Sequence, residues 1–325
     1  MEPKSAAILG ALTADAASLG LHWLYDAGRL RELQQAAPLA FRAPNPQDYV
    51  GVPGFFAHPG KRAGDRSCYG EPCRLMLAHL ARSGGMFDRL RFQQEWLATF
   101  GPGGSWVGYA DRPTRRTLVR LLNCAKAEEF PAVSGVDDDQ LPALACIPAL
   151  AACRYRSTNE LLETVQVAVG VTHDHPLARD AARACSIALD AALCGTPLSR
   201  ALEMGARQAG GVLEPLLLEA LALPQLDPQG ATARFGMPCH LPQGLPVLFH
   251  IAHRAGNFQE AVQANILAGG DCCGRSLMLG ALTAVHDALQ LRANPGTSRG
   301  IPLVWLSQLQ DIAGVVRDAE VLLDD

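Results

Sequence analysis

Asp15 lies in GALTADAASLG, a carboxylate inside a run of small and apolar side chains. Buried without a partner, such a group costs several kcal/mol or takes up a proton, so it calls for a hydrogen-bonding partner, a metal or a pocket. Ser18, His22 and Asp26 follow at spacings of three, four and four residues, and a continuous helix would carry all four on one face. The competing reading is a solvent-facing stripe on a surface helix. The almost wholly Ala, Leu and Gly surroundings argue against it.

A second carboxylate opens a helix near the end of the chain. In ILAGGDCCGRS (266–276), Gly269 and Gly270 let the backbone approach a ligand closely, and Asp271 sits where a helix dipole favours an anion. It is therefore either a cap or a catalytic or metal-binding group. Arg275, one turn on, can pair with Asp271 or with a substrate phosphate. Cys272 and Cys273 are adjacent, which predicts sulfurs pointing in different directions and a poor chelate.

Three further stretches carry the same ambiguity. In SGVDDDQLPALAC, Asp137, Asp138 and Asp139 precede an apolar segment, where acidic residues satisfy free N–H groups but three exceed what capping needs. In VTHDHPLA, His173 and His175 are acid–base groups or ligands, while Thr172 or Asp174 can simply cap. In DRSCYGEPCRL, Cys68 and Glu71 stand at another helix start.

The elements that position these residues read as helices. Ala/Leu-rich segments with helical spacing run over about 5–24, 70–83, 88–99, 112–128, 138–153, 157–169, 176–194, 197–208, 212–222, 244–254, 257–268, 272–291 and 302–322. Strand alternation and a βαβ rhythm are lacking, so the chain is expected to be all-α. Residues 36–66 are the longest irregular stretch, and shorter loops are expected at 101–113, 223–230 and 235–244. No fixed-period repeat and no linker appears, which predicts one domain over residues 1–325.

Bulk properties narrow the function classes. The 325 residues are 49% hydrophobic and 18% charged, enough for a sizeable core. A net charge of −4 provides no polybasic field for nucleic acid. No stretch has the length and apolarity of a membrane span. The ten cysteines include no CxxC pair, and Cys124, Cys146, Cys153, Cys185 and Cys194 sit in apolar or Ala-rich context. Reduced core thiols in a cytoplasmic protein are expected. The segment from Lys4 through SAAILGALTADA mimics a weak signal peptide, but it is short and alanine-rich, with Glu2 weakening the basic lead.

In chain order, GALTADAASLGLHWLYD, SCYGEPCRLMLAHLARSGGMFD, GYADRPTRRTL, DDDQLPALACIPALAA, VTHDHPLA and AGGDCCGRSLMLGALTA resemble the ADP-ribosylglycohydrolase superfamily, in its J-type crystallin-like branch. The resemblance covers nearly the whole chain and implies a compact fold of many helices. It also implies two divalent metals, usually Mg²⁺, held by an early S/T-D-D-T motif and a late D-x-D-T/S motif. Here the early motif reads Cys68-Tyr69-Gly70-Glu71; in the late one Asp271 is kept, Cys273 replaces the second aspartate, and Gly274 replaces the hydroxyl residue. Thiol and glycine cannot serve Mg²⁺, so at most a non-standard site on Asp271 and Glu71 is expected, or none.

The function expected is hydrolysis of a glycosidic bond in an ADP-ribose-like or nucleotide-derived substrate within an acidic cleft. Asp15, Glu71 and Asp271 would act as acid, base or metal ligands. His22, Asp137–Asp139, His173, Gly269, Gly270 and Arg275 would position the substrate. The alternative is a small-molecule binder or a structural protein that has lost the metal chemistry. A thiol site at Cys68 and Cys273 is a third reading, and it requires a lowered thiol pKa. A small-molecule partner is expected; oligomeric state is left open.

Overall fold

Between its Gly and Pro breakers the chain folds into helices throughout, in a computed structural model that describes residues 1–296 and 300–324. Among those residues the only β pairings are isolated bridges. In chain order the helices are α1 (Pro3–Ser18), α2 (Ala27–Ala36), α3 (Gly70–Arg82), α4 (Arg89–Phe100), α5 (Arg112–Leu122), α6 (Ile147–Ala151), α7 (Thr158–Val169) and α8 (Pro176–Leu193). They continue as α9 (Leu198–Arg207), α10 (Leu213–Ala222), α11 (Pro228–Phe235), α12 (Leu241–Arg254), α13 (Phe258–Ala268), α14 (Cys272–Ala293), α15 (Leu303–Leu306) and α16 (Ile312–Asp324). Side-chain caps fix many starts, through Asp26, Asp88, Asp111, Ser157, His175, Asp227, Asn257 and Asp271.

Two helices are buried around most of their circumference and form the centre. α1 buries 14 of its 16 residues, and α14 buries all but one from Cys272 to Asp287. They pack along their length, with Gly10 and Gly280 facing each other at the crossing. A Cβ on Gly280 would lie 2.3 Å from the Gly10 carbonyl oxygen and 2.6 Å from the Ala14 Cβ, so only glycine permits this approach. Helices α3, α6, α8, α12, α13 and α16 surround the pair, and the rest form an outer layer. None of the described helices is long and apolar enough to cross a membrane.

Several boundaries depart from the sequence reading. The first helix ends at Ser18 rather than 24, and Leu19–Leu21 form a 3-10 turn. The chain turns because Gly20 packs on the Arg42 carbonyl, where a Cβ would come within 2.0 Å, and Trp23 takes a left-handed backbone (φ 61°). The four-residue face therefore breaks up, and Asp26 instead caps α2, a helix not expected from the sequence. Pro142 and Pro148 divide the expected 138–153 helix into the 3-10 turn Leu141–Leu144 and α6. The 112–128 segment stops at Leu122, and 302–322 is interrupted before Asp311 (φ 61°). α11 lies between two expected loops, and α12 starts at Leu241 and retains Pro246 inside it.

Candidate functional site

Three chain segments meet at the N-terminus of α14. Leu24 bridges both Gly54 and Gly270, and Trp23 N–H donates to the Gly270 carbonyl at 2.8 Å. Gly270 N–H donates to Leu24 O at 2.7 Å, and both glycines press on neighbouring chain: Gly269 on Leu30 and Met237, Gly270 on the Met237 backbone. Both have positive φ, so the chain crossing by itself requires glycine here. On the other side, Val136 pairs with His173, and Gly135 allows that approach.

Asp271 caps α14 and belongs to this cluster as well. Its Oδ1 accepts the Gly274 N–H at 2.8 Å and lies 3.4 Å from His22 Nδ1; its Oδ2 accepts from the Tyr69 hydroxyl at 3.4 Å. It is fully buried, and burial pushes its carboxyl up to about 6. Asp15, equally buried, is pushed up to about 7 by desolvation against the hydrogen bonds from Ser67, whose Oγ and N–H reach it at 2.5 and 2.8 Å. Ser67 Oγ in turn accepts from Tyr69 N–H and Gly70 N–H at 3.0 and 3.2 Å. Ser67→Ala therefore removes the hydroxyl bond to Asp15, leaving only the backbone one, and the acceptor for the first turn of α3, and we expect a loss of about 2–3 kcal/mol in urea denaturation.

The sequence-nominated residues divide clearly. His22 joins Asp15 to Asp271: its Nδ1 is 3.4 Å from the Cys273 N–H, while Cys273 Sγ contacts the Asp15 carbonyl at 3.9 Å. Burial lowers His22 well below the ordinary histidine range. His173 Nε2 is 3.9 Å from Asp138 Oδ1, and burial takes His173 down to about 3. Glu71 instead pairs with Arg66 at 2.8 Å. Asp137 is exposed beside His175, and Asp139 binds His240 at 2.7 Å. His175, rather than Thr172 or Asp174, caps its helix.

Arg275 is the clearest departure. It is fully buried, and its guanidinium donates to Asn265 Oδ1, Asn265 O and Gly269 O, binding the C-terminus of α13. It faces no open surface where a phosphate would dock. The thiol reading also fails on electrostatics, because burial pushes the Cys68 and Cys273 thiols well up, away from the thiolate. Cys194, expected among core thiols, is exposed.

Residues not nominated from sequence complete the site. Asp111 caps α5 through Thr114 N–H at 2.8 Å and is pushed up to about 6 by burial, with Asp138 among its charged neighbours. Asp111 in turn raises Asp271, so the three acids form one electrostatic group. The His58 ring lies tilted beside His22 at 5.3 Å between centroids, and Tyr69 meets His22 edge-on at 5.5 Å. Trp23, Phe55 and Tyr109 gather at 5.2–6.0 Å, with Phe55 exposed. Only Asp111 left a sequence signal, an aspartate before a Pro-Thr helix start; the others come from loops without a period.

This is an all-helical protein whose buried acids and histidines meet at the mouth of its central helix. The chain belongs to the ADP-ribosylglycohydrolase family, whose model matches residues 5–325. It is 25% identical over 332 residues to Crystallin J1A of Tripedalia cystophora, covering 98% of this chain and 95% of that one. It is 30% identical to Crystallin J1B of the same organism over 182 residues, about half of each chain. In fold it is similar to an ADP-ribosylglycohydrolase-related protein complex, with a TM-score of 0.70 at 18% identity, covering 99% of this chain and 97% of that one.

The donor set does not fit a pair of Mg²⁺ ions. Mg²⁺ demands near-octahedral oxygen ligands. The early motif here places the Tyr69 ring against His22, with its hydroxyl on Asp271, while Asp15 is taken up by Ser67 and Glu71 by Arg66.

Proposed function

We propose that this chain binds an ADP-ribose-like or nucleotide-derived small molecule beside Asp271, and that cleavage of a glycosidic bond, where it occurs, needs no pair of Mg²⁺ ions. The observation that carries the reading is a row of buried polar atoms without a hydrogen-bond partner among the described residues. They are Trp23 Nε1, both ring nitrogens of His58 and His173 Nε2. Folded proteins seldom leave such atoms unpaired, and a polyhydroxylated ligand offers donors and acceptors for them. The Trp23, Phe55 and Tyr109 rings suit a nucleobase, and Lys61 nearby suits a phosphate.

A second reading keeps hydrolysis. Glycoside cleavage needs an acid that protonates the leaving oxygen, and Asp271, raised to about 6, retains part of its proton close to neutral pH. The resemblance to crystallins fits an inactive binder or a structural protein.

Thermal shift separates them. At a hundredfold excess over Kd, ADP-ribose should raise Tm by about 4 °C, unchanged by EDTA or added Mg²⁺. A flat response to ADP-ribose, ADP and AMP would leave a structural role. Product release lost in Asp271→Asn, with the thermal shift kept, would establish Asp271 as the acid.

A further inference from the structure

Adjacent cysteines on a regular helix point apart, yet in this chain they converge. Cys272 opens α14 directly after the non-helical cap Asp271 (φ −78°, ψ 65°), and its sulfur lies close to that of Cys273. His22, Cys272 and Cys273 each bring a ligand atom within 4.8 Å of the other two, and all three are fully buried. Asp271 Oδ1, 3.4 Å from His22 Nδ1, adds a carboxylate beside the imidazole. Metal-bound histidines ordinarily carry such a partner, which orients the ring.

We propose that His22, Cys272 and Cys273 form a binding site for one thiophilic ion, with Zn²⁺ as the fitting occupant. Buried cysteines commonly serve as small hydrophobes, and that account explains the sulfurs taken alone. It does not explain His22. Nε2 of that imidazole is buried with no hydrogen-bond partner among the described residues, and an unsatisfied buried donor or acceptor costs about 1–3 kcal/mol. An apolar ring would fill the space without that cost. A metal bond gives the imidazole a partner and replaces the contacts of the Cys272 and Cys273 thiols with the Ser18 and Asp15 carbonyls, at 3.4 and 3.9 Å.

The donor chemistry selects the ion. Two thiolates and an imidazole suit Zn²⁺ and other soft or borderline ions and repel the hard Mg²⁺. Binding Zn²⁺ displaces one proton from each thiol, so no oxidant or reductant is needed, and affinity falls as pH falls. With all three residues enclosed, the ion enters while the chain folds.

The test refolds the full chain under reducing conditions with excess Zn²⁺ or Co²⁺, then desalts it. One Zn²⁺ per chain is expected, and the Co²⁺ form should show sulfur-to-cobalt charge-transfer absorption. Cys272→Ala and Cys273→Ala should each lower metal affinity at least about tenfold. A folded double alanine variant with the metal content of the parent chain would overturn the proposal, as would a parent chain holding no stoichiometric ion. Because the alanine variants disturb the core, X-ray absorption at the zinc edge of the parent protein reads the ligands directly. Two sulfurs with nitrogen support the site; a shell of oxygen and nitrogen alone rejects it. The ADP-ribose thermal shift is measured separately, so either reading can fail without the other.

Discussion

Gly280→Val should leave the protein largely unfolded at 37 °C, with a loss of about 3 kcal/mol or more in any variant fraction that still folds. The branched side chain would project into the Gly10 carbonyl and the Ala14 Cβ, at 2.3 and 2.6 Å from the first carbon alone. Both obstacles belong to α1, which is buried on nearly every side and has no space into which to retreat. Overpacking a flexible core typically costs about 1–3 kcal/mol, and here backbone meets backbone, so the upper end applies. Gly10→Val should behave alike, because its Cβ would meet Ala284 and the Gly280 carbonyl at 2.4 and 2.5 Å. Circular dichroism against urea would show it. A variant within 1 kcal/mol of the parent chain, a margin expected of ordinary surface substitutions, would contradict the crossing described above.

The second large effect is a pH-dependent gain in stability from Asp15→Asn. Burial pushes the Asp15 carboxyl of the folded chain up to about 7, against 3.8 for an ordinary aspartate side chain. The folded state thus binds more protons than the unfolded state between about pH 4 and 7, and Asp15 costs stability increasingly as pH rises through that window. Asparagine cannot ionise and escapes the cost. Relative to the parent chain, Asp15→Asn should gain about 3 kcal/mol between pH 5 and pH 8. The parent profile itself will be flatter than this, because buried histidines act in the opposite direction. His58 and His173 titrate near 4 and 3 when folded, so their contribution is complete above pH 6.5 and falls away below it. Urea denaturation of both proteins at several pH values, with chelator present, measures the difference. A constant gap across the range would mean that Asp15 is already ionised at pH 5.

The sequence made the helices legible where an apolar stripe coincided with a cap, as at Ser157 and Asn257. It misled where local pattern met tertiary constraint. α2 is polar on most of its surface and buries only Leu30, so periodicity gave it no signal. The 138–153 stretch looked continuous because its apolar residues outweighed Pro142 and Pro148 in the pattern, although the prolines break the hydrogen-bond ladder. In the site, Asp15, His22 and Asp271 were readable because each stands out as a polar group in apolar context. Ser67 was not readable: a serine in a turn has no distinguishing neighbourhood until Asp15, 52 residues away, arrives beside it. Arg275 misled for the opposite reason, because its spacing from Asp271 suggested a ligand contact while its side chain turned back to α13.

The pairing of α1 with α14 also governs how the protein is made. Residues 3–18 leave the ribosome long before their permanent partner, 272–293, which emerges only after the residues between them. Until then an apolar helix with almost no polar face awaits a surface to cover it. Contacts this distant in sequence slow folding and prolong exposure to aggregation. Nascent chains stalled before residue 272 should therefore recruit chaperones through residues 3–18, and release once α14 is complete.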